Sequence, residues 1–563
     1  MNLQLKNILP AGGKYGLLKI FAGLWLLTFA LYLPAMKAGF VADFTGWLEQ
    51  TQHYGFWDNI NRTHYHGHSL YQFTQFNTWV LFQFFGTNAM LWHLLSVTLH
   101  AVNALLLYNL GFRLLHNSNT SGARFTALAG SLLFCVSPHA SEVVVWESSY
   151  HFLQGLLLLL VVLNLSWQYL QTHTARHAVA AVFVYFLSSF SLEIFYITPW
   201  LVLTLALFYH WSSGPPSTGF LPALVHIFLP LIVIFIFHII LFRVVYGGWV
   251  AHIGSDVGPA MPALGWNKPA KLLFHILFLG RFFSDAVRHT VYDFLDSAKG
   301  ICAFYGALAV IIFFVAVRFR QLSVKAKLAA MLFGWVCITL ALLMPLWFPD
   351  YSLVVFDRYT YFTSAFIYIL LALLLTYIRL RYVRAALAIA YILINTRYAL
   401  QVNRYWMKSE RIISNLLLTF PYKTDRTVVL LNVPQNMHGV PMIGAEQESE
   451  LKLMHDGLVP AEKINTKVYD AMAYNMLTPD DGANVTVLND STLKVTLNQW
   501  GTWWWYAMRG GNSYENNEYR LDLKDPGHWY ELTLKHPAAN YMLLYQVGNQ
   551  WKVVDMGKRE EQR

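Results

Sequence analysis

Long apolar runs, separated by short polar and basic stretches, fill the first 400 residues, and the pattern changes beyond them. A helix needs about 20 mostly apolar residues to cross a bilayer. On that rule the spans are predicted at 17–36, 88–112, 124–137, 143–169, 177–191, 194–211, 221–242, 301–317, 328–347, 360–378 and 385–400. Residues 269–296 are also apolar but carry Arg281, Asp285, Arg288 and Asp293. Charges at that density predict an outer-face helix or a re-entrant segment within a 243–300 loop, and not a crossing. Residues 37–87 form a first outer loop. Its aromatic end, with Phe73, Phe76, Trp79, Phe82 and Phe85, predicts a helix lying in the membrane interface. Residues 401–422 read as a helical connector. In the tail, 423–563, alternation over Thr427–Leu431, Leu493–Leu497 and Tyr541–Val547 predicts strands. Gly548-Asn549 before Trp551–Val554 predicts a hairpin. The expected fold class is therefore a membrane all-α domain over 1–400, with about eleven transmembrane helices, followed by a small β-rich extracytoplasmic domain.

Composition agrees with this reading. The chain has 563 residues, 56% hydrophobic and 13% charged, which excludes a disordered protein and argues against a soluble enzyme. Charge then orients the helices. Residues 1–400 hold 23 Lys/Arg and 12 Asp/Glu. These cations lie between apolar runs, which also argues against a nucleic-acid partner. With the N-terminus in the cytoplasm, that side receives Lys6, Lys14, Lys19, Arg113, Arg124, Arg176, Arg318, Arg320, Lys325, Lys327, Arg379, Arg381 and Arg384. It receives no acid, and all 12 acids fall on the outer side or at an outer helix end. The stretch Leu17–Met36 is read as a retained first helix and not a cleaved signal. Cys135, Cys302 and Cys337 sit in apolar runs and are expected to be packing residues.

Carboxylates at a membrane edge are costly and call for a partner or a role. Asp43 follows the first span, Glu142 follows Ser137-Pro138-His139, Glu193 precedes Pro199, and Asp357-Arg358-Tyr359 precedes the tenth span. The set is expected to converge on an outer cavity. Solvated or helix-capping acids are the alternative for each one singly. His64, His66 and His68 alternate and could hold zinc on one strand face; polar loop packing is the alternative. His93 and His100 read as buried hydrogen-bonding residues. The cluster Trp500, Trp503, Trp504, Trp505 and Tyr506 reads as the core of a small β domain or an interfacial anchor, with a sugar platform as the alternative.

At these residues the chain resembles the GT-C superfamily of polyprenyl-phosphate-sugar-dependent glycosyltransferases. It is most similar to the bacterial protein O-mannosyltransferase-like branch and to the transmembrane-and-TPR O-mannosyltransferases, although it has no TPR repeats. The resemblance is carried in order by Asp43; by Phe85-Gly86-Thr87-Asn88 with His93, His100 and Asn103; by Pro138 with Glu142; by Ser191-Leu192-Glu193 with Pro199; and by Asp357-Arg358-Tyr359-Thr360-Tyr361. It departs where the family has a Lys at Leu192, a His at Ser137, and an Arg and an Asp near Tyr150 and Phe152.

The resemblance implies inverting transfer of a sugar from a polyprenyl-phosphate donor to a hydroxyl of a protein, lipid or glycan. It places that chemistry on the outer face of a bacterial plasma membrane. Such chemistry needs a base for the acceptor hydroxyl and cations for the leaving phosphate. Asp43 is the expected base, with Glu142 and Glu193 orienting the acceptor or the cations. Arg358 is the expected phosphate ligand, with Arg281 and Arg288 behind it. A salt bridge to Asp357 or another outer acid is the alternative for Arg358. His139, Asp357, Tyr359 and Tyr361 are expected in support. The resemblance fixes no cofactor, and a divalent metal is compatible with the reading. The rivals are a lipid-linked glycan ligase or polymerase, a transporter or flippase, and a non-catalytic membrane scaffold. A transporter should show inverted repeats and mid-membrane polar residues.

Overall fold

Over their described residues, all eleven apolar segments are largely helical in the computed structural model of the chain. It describes residues 13–41, 44–61, 70–117, 122–212, 220–247, 249, 265–344, 357–421, 424–443, 467–497, 502–503, 513–525 and 529–556. Among these, eight helices are long and apolar enough to cross a membrane: Gly16–Ala35, Ala89–Asn117, Glu147–Thr172, Phe220–Tyr246, Ala298–Gln321, Val324–Ala341, Asp357–Leu375 and Arg381–Leu418. A bent pair, Ala123–Cys135 with Pro138–Val145, makes up to nine. Ala175–Ser188 is apolar but shorter, and Thr198–Ser212 has 15 residues. Ala298–Arg318 exposes Val310, Phe313, Phe314 and Val317. A helix so apolar and so uncovered is stable only where lipid replaces water, so the chain is a membrane protein.

Several boundaries differ from the sequence reading. The span expected at 143–169 begins later, because a turn over Glu147–Ser149 precedes the Tyr150–Thr172 helix. The expected span at 385–400 and the connector at 401–422 are one helix, Arg381–Leu418, of 38 residues. No Gly or Pro interrupts it, so nothing local ends it where its apolar character fades. Residues 269–296 form two helices, Lys268–Leu277 and Asp285–Asp296, each too short to span alone. Cys302 is exposed on a helix surface, whereas Cys135 is buried as expected.

The chain divides into two compact units. One comprises 1–33, 55–86 and 91–401; the other comprises 34–54, 87–90 and 402–563. The start of the first outer loop thus belongs with the tail and not with the helical unit. Inside the second unit, Gly39 donates its backbone N–H to Glu410 Oε2 at 2.6 Å.

The second unit is β-rich, as expected. Thr427–Leu430 lies between Tyr541–Val547 and Val468–Asp470 and is parallel to both. Tyr541–Val547 turns back through Gly548 (φ 61°) into Gln550–Val553, the expected hairpin. A five-stranded antiparallel sheet and a second four-stranded sheet complete the unit. Asn432 and Gln546 exchange hydrogen bonds in its core, with Tyr474 donating to Gln546.

In the helical unit, Ala123–Cys135 packs against Tyr361–Leu375, and Tyr150–Thr172 against Ala175–Ser188. The first of these contacts brings the broken helix beside the Asp357 turn.

Candidate functional site

The Ala123–Cys135 helix stops just ahead of a proline. Pro138 lacks an N–H and biases Ser137 toward extended backbone, observed at φ −62°, ψ 125°. The chain restarts as a 3-10 turn over Pro138–Ala140 and a short helix over Ser141–Val145, bent by 49° from the helix before it. His139 and Glu142 are three residues apart and share one face of that restart.

They face two consecutive residues of another element. Asp357 and Arg358 open the 3-10 turn Asp357–Thr360 that leads into Tyr361–Leu375. His139 Nδ1 lies 3.1 Å from Asp357 Oδ1. Glu142 Oε2 accepts the backbone N–H of Arg358 at 2.9 Å, and its Oε1 accepts from Arg358 Nη1. One carboxylate therefore caps the turn and neutralises its arginine. The Arg358 guanidinium also lies 5.0 Å from the Trp146 ring and 4.9 Å from the Tyr359 ring. The Arg358 side chain is 15% exposed and that of Glu142 only 3%, so the arginine is the accessible half of the pair.

The 269–296 segment completes the cluster. After Lys268–Leu277 the chain reverses through Leu279, at φ 56°, into Gly280–Phe282. A non-glycine residue at that φ costs about 1–3 kcal/mol. At Gly280 a Cβ would meet the Phe274 ring at 2.8 Å and the His275 backbone at 3.2 Å, so the tight return requires glycine there. From either side of this reversal, His275 and Arg281 both reach Asp357. His275 Nε2 lies 2.6 Å from Oδ1, and Arg281 Nη1 donates to Oδ2. The long C-terminal helix supports the reversal: Tyr391 donates to Leu277 O at 3.1 Å, and Tyr398 stacks on Phe282 at 3.9 Å.

His139, His275 and Asp357 are completely buried, and Arg281 is 8% exposed. One carboxylate oxygen thus faces a guanidinium and the other faces two imidazoles, whose ring centroids are 4.5 Å apart. Burial pushes His275 down to about 4, assisted by His139 and opposed by Asp357, so its ring is neutral at pH 7.

The other expected residues fall as follows. Tyr361 is buried, its hydroxyl 2.8 Å from His100 Nδ1 and accepting from Asn103 Nδ2 at 3.3 Å. It therefore ties helices together inside the unit, and His100 is the buried hydrogen-bonding residue expected of it. His93 Nδ1 lies 2.6 Å from Glu147 Oε1. Glu193 Oε2 accepts from Tyr71 at 2.5 Å. Ring contacts then run from Tyr71 to His151, Phe152 and Tyr359. So Glu142 and Asp357 meet side by side, while Glu193 connects to them through an aromatic chain. Arg358 pairs with Glu142 and not with its neighbour Asp357, which pairs with Arg281. Arg288 is buried on Asp285–Asp296, whose last residue pairs with Lys271 at 2.5 Å. Asp43, His64, His66 and His68 lie outside the described residues, as do Trp500, Trp504, Trp505 and Tyr506.

Sequence reading missed His275, Tyr71 and the Glu147 pairing. For His275 the signal was a lone polar residue inside the apolar run Leu272–Leu277. Comparison with known protein families finds none that matches the chain, and comparison with curated proteins finds no match either.

Proposed function

We propose that this protein is an integral membrane glycosyltransferase of the GT-C kind, using a polyprenyl-phosphate-linked sugar as donor. On this reading the helical unit has eleven spans in a bacterial plasma membrane, the N-terminus is cytoplasmic, and the tail is extracytoplasmic. The observation that supports it best is the double ion pair at the start of Tyr361–Leu375. There Arg281 and Arg358 are each held by a buried carboxylate, and Arg358 is the accessible one. A guanidinium positioned in this way binds a phosphate through two parallel N–H donors, in exchange for its resting partner.

In the reaction the acceptor oxygen bonds to the anomeric carbon of the donor. The bond from that carbon to the phosphate oxygen breaks, and its electron pair leaves with the polyprenyl phosphate. The acceptor proton passes to a carboxylate, for which the proposed residue is Asp43. A single displacement inverts the anomeric centre. Arg358, with Arg281 and Arg288, stabilises the charge developing on the phosphate. Glu142 and Asp357 hold the guanidiniums, and Glu193, His139, Tyr359 and Tyr361 position the groups around them.

The test is sugar transfer by the purified full-length protein, offered radiolabelled polyprenyl-phosphate sugars with membrane extract as the acceptor source. Wild type should transfer label from one donor. Asp43→Asn should lower the rate about 10²–10⁴-fold if it removes the base. Arg358→Lys keeps the charge but loses the planar fork, and should lower it less. Wild-type protein that transfers none of these sugars, with acceptor supplied in excess, would overturn the reading. Transfer that survives Asp43→Asn unchanged would move the base to Glu142.

A further inference from the structure

His139, His275 and Asp357 come from three separate elements, yet each turns one ligand atom toward the same point. One imidazole nitrogen of each histidine and a carboxylate oxygen of Asp357 all lie within 4.8 Å of one another, and the nitrogens that face Asp357 Oδ1 are His139 Nδ1 and His275 Nε2. From the arrangement of these three side chains we propose that they form a buried transition-metal site of the zinc class.

Four features support the assignment. The donor set of two imidazole nitrogens and one carboxylate oxygen is what zinc takes in three-ligand sites, leaving a fourth position for water or hydroxide. The two carboxylate oxygens are already differentiated: Arg281 holds Oδ2, and Oδ1 faces both imidazoles. A ligating carboxylate ordinarily has its outer oxygen hydrogen-bonded in this way, which fixes its orientation. All three side chains are fully buried, so their polar atoms have lost water and gain from a shared cation. The elements that carry them are rigidly set, by the Pro138 break, the Gly280 reversal and the capped Asp357 turn, so the ligands are pre-positioned.

A hydrogen-bonded cluster without metal is the competing arrangement. It would require both histidines to donate to the same carboxylate oxygen, Oδ1, while Arg281 holds Oδ2. With a metal bound, Nδ1 of His139 and Nε2 of His275 supply the lone pairs, and the far nitrogens carry the protons. The assignment does not depend on the glycosyltransferase reading, since a site that ties three elements together is equally at home in a transporter or a scaffold.

The experiment uses the full-length protein in detergent. Wild type grown with zinc and freed of loose metal should retain about one zinc per chain by elemental analysis. Metal-stripped protein should take up Co(II) with visible d–d bands, and Zn(II) should bleach them. X-ray absorption at the zinc edge should show imidazole nitrogen and oxygen neighbours and no sulfur; this needs no variant and so cannot be confused with misfolding. His275→Gln and His139→Asn should each weaken binding at least about tenfold. Zinc should raise the melting temperature of wild type but not of His275→Gln. A variant with His64, His66 and His68 all changed to Ala should keep the metal. The proposal is overturned if wild type binds neither Zn(II) nor Co(II). It is equally overturned if the His64, His66 and His68 variant loses the metal while His139→Asn and His275→Gln keep it.

Discussion

Glu142 shows how one residue can hold two kinds of structure at once. Its carboxylate accepts the backbone N–H that starts the Asp357–Thr360 turn and also the guanidinium of Arg358. The two halves of the pair are not equivalent. Arg358→Ala leaves an uncompensated carboxylate in a nearly closed environment and should cost about 3–5 kcal/mol. Glu142→Gln keeps the backbone cap and leaves an arginine that can turn toward solvent or phosphate, so it should cost less. Thermal denaturation of both variants should show this order. Equal melting temperatures would mean that the pair is solvated and the Glu142 carboxylate not buried. The local signals for these residues were readable in the sequence. The Pro-x-x-x-Glu spacing placed Glu142 at a helix restart, and the Asp-Arg-Tyr run marked a helix start. Partner choice was not readable, because adjacent Asp357 and Arg358 point to different neighbours.

At the scale of elements, the broken Ala123–Cys135 helix has to approach Tyr361–Leu375 closely for His139 and Glu142 to reach Asp357 and Arg358. Small residues permit it. Ile369 sits against Gly111 of Ala89–Asn117 and Gly130 of Ala123–Cys135. A Cβ at Gly130 would meet Ile369 Cδ1 at 2.5 Å and the Ile369 backbone Cα at 3.0 Å. Between membrane helices, glycines of this kind allow the backbone approach from which packing energy comes. Gly130→Ala should therefore destabilise the protein by about 1–3 kcal/mol through overpacking. Shortening the side chain with Ile369→Val in the same chain should recover only part of the loss, because the backbone contact remains. Full recovery in a melting experiment would show that the side chain alone was in the way. Helix existence at these positions followed from apolar run length. Helix breaks were harder to place: Pro138 signalled one, but the reversal at Leu279-Gly280 depends on a positive φ at a leucine, which no propensity suggests.

For the molecule as a whole, charge asymmetry is the most far-reaching sequence signal, because each cation's side is set by the number of crossings before it. The 269–296 segment decides the parity of everything after it. It forms two short amphipathic helices, and the proposed topology counts no crossing there. In a chain with its three native cysteines replaced, Gln321→Cys should therefore resist a membrane-impermeant maleimide added outside intact cells. Asp425→Cys should react with it; both positions are exposed on the protein. The reverse pattern would invert the topology, and labelling of both would place an even number of crossings between them. Membrane class, helical segments and the strand-forming tail were all accessible from run length and alternation, since each depends on residues near one another in the chain. The meeting of His275 with Asp357 across 82 residues, and of Glu142 with Arg358 across 216, was not accessible in that way. Neither was the membership of residues 34–54 in the tail unit. Burial and partner choice are properties of packed helices, and local sequence patterns carry no record of which helix faces come into contact.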